Sequence, residues 1–354
     1  MVREIDAFFD NDFPYCILLK LRPDVKNNAK ALVLRNLGNS LYNPMKLDAM
    51  SEALLYYNES IAHAAKGSET RAIAYGNRAA VCYHFQQYED CLENVRLARA
   101  SNYPDRLASK LKKREDEAKE AMEEKQFCED EECCGSKAKN KKNPVFDELR
   151  LSYKANSNVP QMVECLQLNR NAKFGRQVVT DRALKVGDVV MIEQPYVTMV
   201  HEDFRHLRCA YCYDSNPFKL IPCEGCTMEM YCSEECLSQA HQQYHRYDCG
   251  IVRDLRRISD DVINGIDGLR TIAKVITTFG HDLDALKKHL DGLDESKVNA
   301  FTMDWNTATP TDIYNTVHVL SANDALRDRK EMARQVFHST IVHRLMLERT
   351  ELGA

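Results

Sequence analysis

Between Cys209 and Cys249 the chain reads CAYCYDSNPFKLIPCEGCTMEMYCSEECLSQAHQQYHRYDC, and half of its 14 cysteines fall in that window. Cys209-x2-Cys212 and Cys223-x2-Cys226 have the knuckle spacing that lets two thiolates reach one metal from a tight turn. Cys232-x3-Cys236 and His245-x3-Cys249 follow at i,i+4, a spacing that puts each pair on one face of a helical turn. Four pairs make eight ligands and tetrahedral zinc takes four, so the count predicts two closed structural zinc ions. Closed sites leave no metal position for an activated water, which argues against a zinc hydrolase. His241 competes for the histidine position; His245 is preferred because it pairs with Cys249, leaving His241 to solvent or packing. Because structural zinc supplies local folding energy, chelation is expected to unfold 209–249 and leave most helix intact.

The rest of the composition is that of a soluble globular protein, with 44% apolar and 29% charged residues. At 354 residues, two or three domains are expected. No apolar run approaches the ~18 residues of a membrane span, and the opening MVREIDAFFD carries charges where a signal peptide needs an apolar core. An intracellular protein, cytoplasmic and nuclear, is therefore expected, in which thiols stay reduced and dense cysteine spacing means metal. Within the cysteine window Asp214, Glu224, Glu229, Glu234, Glu235 and Asp248 outnumber Lys219 and Arg246. Such a surface repels phosphate, so direct nucleic-acid binding is not expected and protein partners are.

The order CxxC, CxxC, YCxxxC, HxxxC, with Tyr231 before Cys232, resembles a MYND zinc finger. The resemblance implies interleaved pairing: Cys209, Cys212, Cys232 and Cys236 on one zinc, and Cys223, Cys226, His245 and Cys249 on the other. Ahead of the finger, Val178-Val179, Val189 to Ile192 and Val197 to Val200 alternate with turn residues such as Lys185-Val186-Gly187-Asp188, which reads as a small β unit. The stretch FGRQVVTDRALKVGDVVMIEQPY placed before the finger is similar to the opening of a split SET domain, the arrangement of the SET-and-MYND protein-lysine methyltransferases. That resemblance implies S-adenosylmethionine as cofactor, a protein lysine as substrate, and a turn at Phe174, Gly175 and Arg176 lying against the cofactor. Many relatives carry a small or basic residue where this chain has Phe174.

Upstream, Leu34, Leu37, Gly38, Leu41, Ala53, Tyr57 and Ile61 follow a tetratricopeptide-like pattern. Tyr75, Ala79, Tyr88, Cys91, Val95 and Ala98 repeat it, ending at Pro104. Gly38, Ala53, Ala79 and Cys91 stand where paired helices must approach closely. Residues 122–146 turn from acidic to basic with almost no aliphatic content and read as a solvated linker, with Cys128, Cys133 and Cys134 as exposed thiols. After the finger, three- and four-residue apolar spacing predicts helices, including one through Met332, Val336, Phe337, Ile341 and Leu345. DIYNTVHVLSAND resembles the helix that in the family lends a polar residue to the cofactor pocket, which implies Tyr314 and Asn323 as cofactor contacts. The Asn-His-Ser-Cys stretch of a SET enzyme is absent from the sequence; nor is there a later tyrosine of the kind that would hold a lysine amine in line with the methyl group.

The expected fold is multidomain α+β. A helical lead (1–27), tetratricopeptide-like repeats (28–121) and the linker (122–146) precede the N-terminal part of a split SET domain (147–208). The MYND finger (209–249) and a helical SET segment (250–354) complete it. The expected function is S-adenosylmethionine-dependent protein-lysine N-methylation of histone or non-histone substrates. No catalytic residue is assigned, and the chain is expected to be the N-terminal part of such an enzyme, inactive alone. The alternative is a non-catalytic zinc-binding adaptor that recruits proteins through repeats and finger.

Overall fold

A computed structural model describes residues 24–130, 149–171, 173, 175–258, 262–320 and 326–353. The chain divides into two compact units. One holds residues 1–140, 199–266 and 339–354, the other 141–198 and 267–338.

In the first unit, helices α1 (Asn28–Leu41), α2 (Leu47–His63), α3 (Glu69–His84), α4 (Tyr88–Ala100) and α5 (Ala108–Asp130) pack in sequential order. Their starts are written locally. The Asn27 side chain accepts from the Lys30 N–H at the head of α1, and Ser68 does the same for Arg71 at the head of α3. The small residues sit at the crossings. A Cβ on Gly38 would lie 2.6 Å from Cε1 of Tyr57 and 3.2 Å from the Ala53 carbonyl, so α1 and α2 touch backbone to ring. Met50, Ala53, Leu54, Tyr57 and Val81 form the apolar centre of this stack. Leu37, in contrast, is 44% exposed: it lies about 100° around the helix from its buried neighbour Gly38 and turns outward.

The segment read as a linker from residue 122 continues α5 as far as Asp130. Its Glu, Lys, Gln, Met and Ala are strong helix formers. The earlier turns of α5 carry i,i+4 ion pairs, Lys112–Asp116 at 2.6 Å and Lys119–Glu115 at 2.7 Å. Scarcity of aliphatic residues signalled solvation there, but not loss of helix. Cys133 and Cys134 lie outside the described residues, as does the Cys128 side chain.

The finger belongs to this same unit. Its two-stranded ladder pairs β3 (Ile221–Pro222) with β4 (Met230–Tyr231), and α6 (Glu234–Ala240) runs through a wider π turn, His241–His245, to Asp248. Helix α7 (Val252–Ile258) follows, and Arg349 closes on its Asp254.

The second unit is built on an antiparallel hairpin, β1 (Leu166–Asn171) and β2 (Gly175–Thr180), in the register Leu166 opposite Thr180 to Asn171 opposite Gly175. Val159, Met162, Val163, Cys165 and Leu166 form its core, with Val190, Phe301 and Trp305 packed against them. Residues 189–192 pair only through isolated bonds, such as Val163 N–H to the Val190 carbonyl at 3.0 Å and the Met162–Met191 bridge. The stretch 197–200 forms no strand. There, the carbonyls of Tyr196 and Thr198 accept from Lys274 at 2.5 Å and Arg270 at 2.8 Å, so side chains take the acceptors that a sheet would have used.

Four predicted helices follow: α8 (Val262–Thr278), α9 (Leu283–Asp291), α10 (Pro310–His318) and α11 (Arg329–Arg349). Helix α10 opens on a capping box of Thr309 and Asp312 with proline in its first turn. Among the described residues no helix is long and apolar enough to cross a membrane.

Candidate metal centre

The eight residues singled out by spacing come together as two groups. Cys209, Cys212, Cys232 and Cys236 form one, Cys223, Cys226, His245 and Cys249 the other, with the ligand atoms of each group within 4.8 Å of one another. This is the interleaved arrangement that the resemblance implied. The structure also shows why the chain interleaves. The β3–β4 ladder sets Pro222 opposite Met230, and the residues that follow them carry the second knuckle on one side and Cys232 on the other.

The spacings fit tetrahedral zinc. A Zn–S bond of about 2.3 Å places two ligand sulfurs about 3.8 Å apart. Sγ of Cys212 is 3.5 Å from that of Cys232, Cys232 is 3.5 Å from Cys236, and Cys223 is 3.7 Å from Cys249. Hydrogen bonds from the Cys212 and Cys232 thiols pull Cys209 down to about 2, and its thiolate pushes Cys212 up to about 12. The same crowding, led by Cys226 and Cys249, lowers Cys223. Each group thus holds negative charge ready for a cation, and a divalent ion displaces the protons its sulfurs share.

Three details complete the second group. His245 Nδ1 lies 2.5 Å from Asp248 Oδ1, both residues being fully buried. That contact orients the ring and leaves Nε2, 3.7 Å from Cys226 Sγ, for the metal. A Cβ on Gly225 would lie 2.7 Å from Cys249 Sγ, so only glycine lets that sulfur close in. His241 approaches Cys223 at 3.9 Å but stands outside the group, its ring against His245. Of the i,i+4 pairs, Cys232 precedes α6 instead of lying in it: Ser233 caps the helix by accepting from the Cys236 N–H at 3.2 Å.

The finger is seated on the helical stack. Buried Arg78 of α3 donates to Leu220 O and Asn58 Oδ1, each at 2.8 Å, and to Asn94 Oδ1 at 2.7 Å. Asn58 in turn donates to the carbonyls of His206 and Pro217, and Asn94 to that of Phe218. Arg71 grips Glu224 with both terminal nitrogens, at 2.5 and 3.0 Å. These residues escaped the sequence reading because they are long-range contacts of ordinary helix positions. Asp248, three residues beyond His245, was the one neighbour whose spacing could have been noticed.

The cofactor residues implied by resemblance stand differently. Phe174 and Asn323 lie outside the described residues, as does the Arg176 side chain. Gly175 ends the hairpin turn at φ +67° with open space where a Cβ would point, so backbone conformation, not crowding, calls for glycine there. Tyr314 packs on α10, its ring 6.5 Å from that of Tyr196 and its hydroxyl 3.5 Å from His318 Nδ1.

Comparison with known proteins agrees with this geometry. Residues 209–249 match the MYND finger family. Protein-lysine N-methyltransferase SMYD4 of Danio rerio is 24% identical over 268 residues, 70% of this chain and 32% of that protein. The Homo sapiens protein of the same name is 24% identical over 279 residues, covering 63% of this chain and 34% of its own length. A SET and MYND domain-containing protein of Dictyostelium discoideum is 24% identical over 95 residues, 26% of this chain and 23% of that protein. The chain spans about a third of the length of the first two relatives. No solved structure matches it. Residues 209–249 thus carry a MYND finger with two Cys/His zinc-binding clusters, and the likeness to SET-and-MYND proteins runs well beyond it.

Proposed function

We propose that this chain carries the scaffold of an S-adenosylmethionine-dependent protein-lysine N-methyltransferase: tetratricopeptide-like repeats, the zinc finger and the opening part of a split SET domain. The observation that carries the reading is the joint one of a two-cluster finger and relatives named as protein-lysine methyltransferases over most of this chain. Zinc, held by the eight ligands, would act in this scheme as a structural cross-link, fixing the finger's loops. Among this chain's own residues, Gly175 at its turn provides a backbone that a cofactor can approach closely. Methylation needs a lysine amine held in line with the sulfonium methyl. No Asn-His-Ser-Cys stretch occurs in the sequence to build that wall.

Transfer of radiolabelled methyl from S-adenosylmethionine to histone and non-histone proteins tests the reading. The whole protein that carries this chain is expected to label lysine, and residues 1–354 alone are not. Absence of transfer by the whole protein would favour a second reading, a zinc-binding adaptor. The seating of the finger on α2–α4 supports that reading in its own right, since it yields a rigid platform for protein partners without any chemistry.

A further inference from the structure

The two zinc clusters have different surroundings. The first is partly open: Cys212 is exposed and Cys232 and Cys236 half-buried, so water can screen its charge. The second is more enclosed, with Cys223, Cys226 and His245 at 0–1% exposure and Cys249 half-buried. Three thiolates and one dication leave that buried cluster with a net negative charge, and a buried charge is costly unless it is paired or hydrogen-bonded.

The pairing comes from outside the finger. Lys26, just ahead of α1, directs its ammonium onto three carbonyls: those of Cys223, of Cys226 at 2.6 Å and of Ala62 in α2 at 2.7 Å. An ammonium has three N–H donors, and two of these three acceptors belong to metal ligands. Two residues earlier, buried Asp24 accepts from the Thr227 N–H and hydroxyl, each at 2.8 Å, and from Arg253 at 2.7 Å. Arg71 holds Glu224 between the two ligands of the same knuckle. Residues 223, 224, 226 and 227 are thus each held by a side chain from residues 24–71.

We infer that Lys26, supported by Asp24 and Arg71, is an outer layer of the second zinc cluster, so that the helical segment sets how firmly that one ion is held. The inference rests on the two zinc ions and not on methyl transfer. Loss of such outer partners typically weakens metal affinity about 10–100-fold. The first cluster has no such ties to residues 24–71 among the hydrogen bonds described, which makes it an internal control.

The test follows zinc release from the full chain into a chromophoric chelator, beginning with wild type to establish two ions per chain. In Lys26→Met, one of the two ions is expected to leave about 10–100 times faster, with the other unchanged. Cobalt substitution identifies the ion, since three-sulfur and four-sulfur sites absorb differently; the three-sulfur bands should fade first. Lys26→Arg keeps the charge and should release close to the wild-type rate. Unchanged release in Lys26→Met, equal acceleration of both ions, or Lys26→Arg as fast as Lys26→Met would each overturn the inference. If Lys26→Met does not fold, Asp24→Asn decides: it leaves the ammonium but loosens Thr227, and should speed the same ion alone. No change there would overturn the inference as well.

Discussion

Arg78 of α3 reaches into the finger and donates to the Leu220 carbonyl at 2.8 Å while both Asn58 and Asn94 accept from the same guanidinium. The guanidinium is fully buried and its described hydrogen bonds all go to neutral oxygens, so it acts as a connector and not as an ion pair. Replacing it by Met strands three acceptors and should cost about 3 kcal/mol. Lys at this position should fare little better, because one ammonium lacks the fork that spans them. Denaturant unfolding in saturating zinc measures this; a loss below ~1 kcal/mol would show that the seating contributes little.

A second expectation concerns the helix crossing. Gly38→Val should destabilise the chain by about 1–3 kcal/mol through overpacking, since its Cβ meets the Tyr57 ring at 2.6 Å. Combining it with Tyr57→Ala should cost less than the sum of the two single changes. Strict additivity in urea titrations would mean that the two residues do not share a contact.

Acid should weaken the first unit. Burial lowers His63 from 6.5 to about 3 and also lowers His206. The folded state therefore binds fewer protons than the unfolded one between pH 6.5 and about 3, and stability falls as pH falls through that window. Each histidine contributes at most about 1.4 kcal/mol per pH unit. Protonation of the zinc ligands acts in the same direction, so the diagnostic quantity is the difference between wild type and His63→Gln. That variant should show a shallower decline below pH 6.5. Parallel curves would remove His63 from the account.

The metal count is a fourth check. Native mass spectrometry should find two zinc ions per chain. Cys226→Ala should lose one, and Cys209→Ala the other, because the clusters share no ligand. A single ion in the wild type, or loss of both in either variant, would contradict separate clusters.

The metal ligands were legible from the sequence because spacing alone puts two ligands on one turn, and a knuckle leaves little freedom. Which pair joins which was not, since that depends on the β3–β4 ladder, which pairs Ile221 with Tyr231 and Pro222 with Met230 across the intervening knuckle. The close crossing of α1 and α2 was visible in Gly38, but the direction of Leu37 was not, for a single helical position can turn to either side of a stripe. Residues 197–200 misled because Val and Thr favour strands only where a neighbouring strand is present. Lys274 and Arg270 take the acceptors instead. The seating of the finger was invisible, because Asn58, Arg71, Arg78 and Asn94 look like any polar residues on helices until the partner carbonyls are placed.

That seating changes what zinc removal should do. An isolated finger would unfold by itself. Here Lys26, Arg71, Arg78, Asn58 and Asn94 tie finger backbone or side chains to the stack, so finger and stack are expected to form one cooperative unit. The most direct measurement is thermal unfolding of the full chain followed by far-UV circular dichroism, which reports the helices, with zinc bound and after complete chelation. The helical transition should move to clearly lower temperature on chelation and return when zinc is restored. A helical transition unmoved by zinc, with only finger residues losing order, would contradict the account.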